Sequence, residues 1–138
     1  MILKEQLIVL FLVMAPYSFT QTNDSNDSIG RFMTERSRIA PPTKEEYDEL
    51  FTEYNKGSQA AKQELIERHI RLVASIALKF RLVNVPMEDV MAEGIHGLII
   101  AIEKFDHTRG IKLSTYAAWW IRQRIQRFVS KMAEAVSI

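Results

Sequence analysis

Residues 114–127 read STYAAWWIRQRIQR. The stretch holds two adjacent tryptophans, a tyrosine, two glutamines and three arginines, and no acid. Placed at 100° per residue, Ala117, Ile121, Ile125 and Phe128 fall in one sector about 80° wide, enough for a buried stripe. Tyr116, Trp120, Gln123 and Arg127 cluster in a second sector, with Trp119 and Gln126 on its flank. The two sectors are centred well apart, so the aromatics do not belong to the core stripe. One alternative is that the tryptophans pack under another part of the fold, but two adjacent indoles are hard to bury on one face. Aromatic faces beside arginines and amides suit unstacked bases: the rings stack, the arginines neutralise phosphates, and glutamine reads a base edge.

Outward from this helix the chain continues in helical period. Ser114 is its expected N-cap. Residues 106–112 read as a turn with Gly110 as pivot. Before it, MEDVMAEGIHGLIIAIEKF (residues 87–105) carries Val90, Gly94, Leu98, Ala101, Ile102 and Phe105 as a buried stripe. Glu88, Asp89, Glu93, His96 and Glu103 fall elsewhere, with Ile99 and Ile100 beside them. From Glu88 to Glu103 there is no Lys or Arg. This acidic, partly apolar face suits docking of a basic partner, against the plainer reading of a solvated face. Pro86 is expected at the first turn of that helix. Leu65, Ile66, Leu72, Val73, Ile76, Ala77 and Phe80 share helical spacing in one segment capped by Ser58. Thr43 and Glu46 form a capping box for the helix before it, which Gly57 ends. A short amphipathic pattern surrounds Ile29, Phe32 and Met33. No segment has strand period, and the expected fold is an all-α, irregular helical bundle.

Composition narrows the function classes. The chain has 138 residues and no cysteine, so neither disulfides nor thiol chemistry are available. Net charge is +1, but it is unevenly placed. Residues 104–131 hold seven basic side chains against Asp106 alone, a local charge of +6, whereas the preceding 103 residues carry 11 basic and 15 acidic ones, or −4. Such asymmetry points to a nucleic-acid surface at one end. Glu93 and His96 match the Glu-x-x-His spacing of di-iron bundles, but the second motif that such a site needs is missing. No metal and no cofactor are expected. Residues 1–26 divide into an apolar leader and a polar linker. The apolar run is too short to span a bilayer. Glu5 and the lack of a small-x-small site argue against a signal peptide. Asn23 and Asn26 begin formal glycosylation sequons that would matter only on secretion. A cytoplasmic protein is expected, with no membrane contact unless the leader is genuine.

Three runs carry a family resemblance: IRLVASIALKF, EDVMAEGIHGLIIAIEKFD and GIKLSTYAAWWIRQRIQR. Together they resemble domain 2 of bacterial RNA polymerase sigma factors of the primary family. The implied organisation is a leader and linker over 1–26, a helical region similar to sigma region 1.2 over 27–57, sigma domain 2 over 58–131, and a tail over 132–138. The resemblance implies that the helix around Asp89, Ala92, Glu93, Ile95 and Ile99 docks on the clamp helices of the beta-prime subunit of polymerase core. The family more often has Gln, Asn and Met at positions 92, 95 and 99. It implies that the last helix recognises the minus-ten promoter element and captures non-template strand bases. Tyr116 would stack on the flipped adenine, and Trp119 and Trp120 would stop the duplex at the melted edge. Gln123 and Gln126 would read the first base pair, although the family usually has Thr at position 126. Arg122 and Arg127 would contact the backbone. Phe105 and Lys112 would wall the flipped-base pocket, where Ile111 replaces a common aromatic. An anti-sigma factor is a further partner of such proteins.

The function so implied is a transcription initiation factor, not an enzyme. A second reading is a truncated sigma-like protein or decoy that binds core or an anti-sigma factor without productive initiation, which the lack of distal domains in this sequence favours. A third is a general single-strand binder.

Overall fold

In the computed structural model, residues 40–80 and 85–136 are described. The expected leader, the linker and the short pattern around Phe32 lie outside them. The described residues form helices and connecting turns, with no strand among them. The sequence reasons for each boundary are local. Thr43 Oγ1 accepts the Glu46 N–H at 3.3 Å, and Glu46 Oε2 accepts the Thr43 N–H at 3.0 Å. This reciprocal pair starts α1, Lys44–Asn55. Gly57 ends the connection at φ 95°, a backbone state that costs an L side chain about 1 kcal/mol or more. Ser58 Oγ accepts the Ala61 N–H and starts α2, Gln59–Glu67.

The single helix expected through residues 59–80 is instead two. α3 spans Ile70–Ala77 and runs into a 3-10 turn, Leu78–Phe80. The break has a chemical cause at His69. Its Nδ1 lies 2.6 Å from the Leu65 carbonyl, the acceptor that a continuous helix gives to the His69 backbone N–H. That N–H turns to the Ile66 carbonyl instead. The side chain has replaced the backbone donor, and the helix restarts one residue later. Arg68 then ties the corner: it donates to Ala40 O at 3.1 Å and to Glu46 Oε2 at 2.7 Å, and it pairs with Glu64.

Pro86 stands just before α4, Met87–Lys104, not inside its first turn. α4 is the centre of the molecule, packed on α2, α3 and α5. Val90, Met91, Ile95, Leu98, Ile99, Ala101 and Ile102 are all buried. Burial therefore extends beyond the expected stripe to Ile99, Ile95 and His96, which is only 5% exposed. A helix enclosed by three neighbours has no broad solvent face, and periodicity within one helix does not report how many neighbours it has.

α5, Leu113–Val136, lies against α4. It begins two residues earlier than a Ser114 N-cap implies, so Ser114 sits in the first turn and buried Leu113 anchors the start. Ala117, Ile121 and Ile125 are buried as the sector analysis requires, and Phe128 is half-buried. The crossing is set by glycine. A Cβ on Gly97 would lie 2.7 Å from the Trp120 carbonyl oxygen and 2.8 Å from Ile121 Cα. The two backbones are in contact there, and no side chain fits between them.

Candidate nucleic-acid interface

The outer face of α5 grows out of a chain of rings that starts in the core. Phe51, fully buried on α1, lies 5.4 Å from Phe105. Phe105 lies 5.5 Å from Tyr116. Tyr116 meets Trp120 at 6.3 Å, and Trp120 meets Trp119 edge-on at 5.1 Å and 89°. These are ordinary aromatic pair distances. The far end of the chain, Trp119, is 54% exposed. The tryptophans are therefore not equivalent. Trp120 is half-buried, with its Nε1 shielded and without a partner among the described residues, and Lys104 Nζ 5.5 Å from its ring. Expecting both rings at the surface overstated the exposed aromatic area. The ring beneath is held by Tyr116 and Lys104.

Around Trp119, Arg122, Gln123, Gln126 and Arg127 are exposed. Neither arginine forms an ion pair with a described residue. A helix face with uncommitted cations and amides next to a bare indole has unspent bonding capacity for phosphates and bases.

The turn before α5 is pinned by Asp106. Its carboxylate accepts from Thr108 N at 3.0 Å and Thr108 Oγ1 at 2.6 Å, and Arg109 lies 3.3 Å away. The Thr108 hydrogen bonds are the main reason its carboxyl is held below the usual range. Gly110 at φ 75° then turns the chain into α5. This places Phe105 and Lys112 on one open groove, with Ile111 as a 56% exposed lip. The sequence suggested these two positions. It did not suggest the opposite wall, Tyr47 and Asp48 of α1, or His107, which stacks on Phe51 at 5.4 Å and 4°. Those residues are distant in sequence, and only the capping box that orients α1 hinted at them. Tyr116 touches Phe105 without lining the groove.

Tyr47 is itself fixed by the helix break. Because Leu65 O can only accept, His69 Nδ1 carries the hydrogen and Nε2 accepts from the Tyr47 hydroxyl. Burial pushes the Tyr47 hydroxyl up to about 12, and burial likewise holds the His69 pKa below its ordinary value.

The expected docking positions on α4 separate into two groups. Asp89 is exposed, and Ala92 and Glu93 are partly exposed. Ile95 and Ile99 are fully buried, so in this fold they back the surface and do not form it. Ile100 is the partly exposed isoleucine there. The acids at the start of α4, Glu88 and Asp89, also suit the positive end of the helix dipole. Glu93 is not free: it pairs with Arg124 of α5 at 3.3 Å. Glu93 and His96 do come together, but around a guanidinium. Among the described residues no group of three or more potential ligands could hold a metal. No helix of the described residues is long and apolar enough to cross a membrane.

Residues 65–134 match the family model for sigma-70 region 2. The chain is 39% identical over 113 residues to RNA polymerase sigma factor SigA of a Bacillus species. The match covers 82% of this chain and 30% of that relative, so the chain spans about a third of the length of the curated protein it resembles.

Proposed function

The chain belongs to the sigma-70 region 2 family, and on that premise we propose that it acts in transcription initiation as a specificity subunit, docking on RNA polymerase core and capturing non-template bases of the minus-ten element. One observation carries the reading: exposed Trp119, at the end of a ring chain rooted in the core, stands among uncommitted Arg122, Gln123, Gln126 and Arg127. Residues 58–131 supply this activity, and α1 with the residues before it corresponds to the preceding sigma region.

The energetics are compatible with opening by binding alone. Extruding a base costs a few kcal/mol. Stacking on an aromatic returns about 1–3 kcal/mol per base, and polymerase contacts add to it. Tyr116 and Phe105 receive the flipped base, Lys112 and the groove beside it hold its sugar-phosphate, and Trp119 ends the duplex. Gln123 and Gln126 read the first base pair. No bond is made or broken, so the chain needs no catalytic group. Docking uses Asp89, Ala92 and Glu93 against a basic surface of the beta-prime clamp helices.

The test is binding of a labelled minus-ten non-template oligonucleotide, with and without bacterial core polymerase, against a scrambled strand. The expected result is preference for the minus-ten strand, strengthened by core and lost at one base position in Tyr116→Ala. Equal affinity for both strands, unaffected by core, would leave only a general single-strand binder. Core binding without strand preference would favour the decoy.

A further inference from the structure

The acidic face of α4 has a cation on it already. Arg124 Nη2 lies 3.3 Å from Glu93 Oε2 and donates to His96 Nδ1 at 2.8 Å. We propose that Arg124 is a built-in competitor for the docking face: its guanidinium occupies Glu93 in the free chain and gives it up, keeping only its bond to His96, when a cationic surface of the polymerase engages α4. The proposal rests on the docking reading above and adds a regulation to it.

Three features of the geometry support an exchange over a permanent structural pair. The pair is reachable, since the side chains of Glu93 and Arg124 are 25% and 26% exposed. It is also loose. Charge-assisted N–H to carboxylate bonds run near 2.7–2.9 Å, shorter than the distance here. Arg124 Nε is buried without a partner among the described residues, so the guanidinium is held short of its full set of bonds there. A partner cation with better geometry therefore displaces a suboptimal one.

The displaced group also has somewhere to stay. A guanidinium only donates, so His96 Nδ1 holds a lone pair and the imidazole is neutral. His96 is buried, and burial followed by the charge of Arg124 lowers its pKa, which keeps the acceptor in place. Arg124 thus retains its shorter bond after Glu93 has changed partners. Glu88 and Asp89 keep the face acidic throughout, and Glu93 joins them as an acceptor only for a cation that outcompetes Arg124, which disfavours encounters with weakly basic surfaces.

The experiment is a titration of polymerase core with the full chain and with Arg124→Met, Glu93→Gln, the double variant of these two, and Asp89→Lys. Methionine keeps the apolar stem of Arg124 and removes its charge. Arg124→Met is expected to bind core roughly two- to fivefold tighter, the range set by part-exposed ion pairs. Glu93→Gln is expected to bind more weakly, and the double variant to match Glu93→Gln. Three results would overturn the proposal. A gain that persists in the double variant would mean a general charge effect. No gain in Arg124→Met, with Glu93→Gln still weakened, would leave docking intact and remove the competition. Wild-type affinity for both Glu93→Gln and Asp89→Lys would remove the docking surface itself. Circular dichroism melting checks the fold of each variant, and Arg124→Gln replaces Arg124→Met if the latter does not fold.

Discussion

His69 shows how one side chain carries several consequences. It breaks a helix, fixes its own tautomer and orients Tyr47 into the groove beside α5. Its buried imidazole resists a proton that the unfolded chain accepts near 6.5. The unfolded state therefore gains protons first on acidification, and stability falls as the pH drops below about 6.5. His96 acts in the same direction. Glu46 and Asp106, with carboxyls lowered from 4.5 and 3.8, lose their contributions only at lower pH. Thermal melts are expected to shift down between pH 7 and pH 5, and less steeply for His69→Gln. None of this was legible in the sequence, where His69 is one of three scattered histidines. The exposed arginines and glutamines of α5 were legible, because helix angle alone separates them from Ile121 and Ile125. The difference between Trp119 and Trp120 was not, since it depends on Tyr116 and Lys104 closing over one ring.

At the level of elements, the crossing of α4 and α5 controls the site. Gly94 and Gly97 lie one turn apart on α4 and face α5, but they are not equally demanding. A Cβ on Gly94 would meet Val73 Cγ1 at 2.7 Å, a buried side-chain atom that has to shift, whereas one on Gly97 would meet backbone, which has less room to move. Gly97→Ala is expected to cost at least about 2–3 kcal/mol, the upper range for overpacking, and Gly94→Ala less. Urea denaturation of the two variants measures the difference, and equal midpoints would refute it. Helix periodicity revealed that α4 and α5 exist and which stripe of α5 is buried. It misjudged α4, because the acid and the histidine that looked solvent-facing are answered by an arginine 28 to 31 residues away. Charge pairing between helices leaves no local signature.

Across the whole molecule, charge is separated. α1 and α2 carry seven of the 13 acids of the described residues, and α5 with the turn before it carries six basic residues against Asp106 and Glu134. With Lys112, Arg122, Arg127 and Lys131 exposed, three to four phosphate contacts predict a slope of log affinity on log salt of roughly −2 to −3 for a single strand. Replacing Arg122 and Arg127 together by glutamine is expected to flatten that slope by about 1.4. An unchanged slope would place the backbone contacts elsewhere. This polarity was visible from charge counts along the chain, since sequence order and spatial order coincide when the basic residues share one helix.

The perpendicular tryptophans have an optical consequence. They are the only two indoles in the sequence, and both stand at the end of the ring chain that reaches the surface. All indole emission from this protein therefore originates at one spot. A base stacked on Trp119 quenches the water-exposed emitter directly, while the sheltered Trp120 keeps a bluer spectrum. Arrival of a strand is expected to dim the red side of the spectrum and shift its maximum to shorter wavelength, with no dye attached.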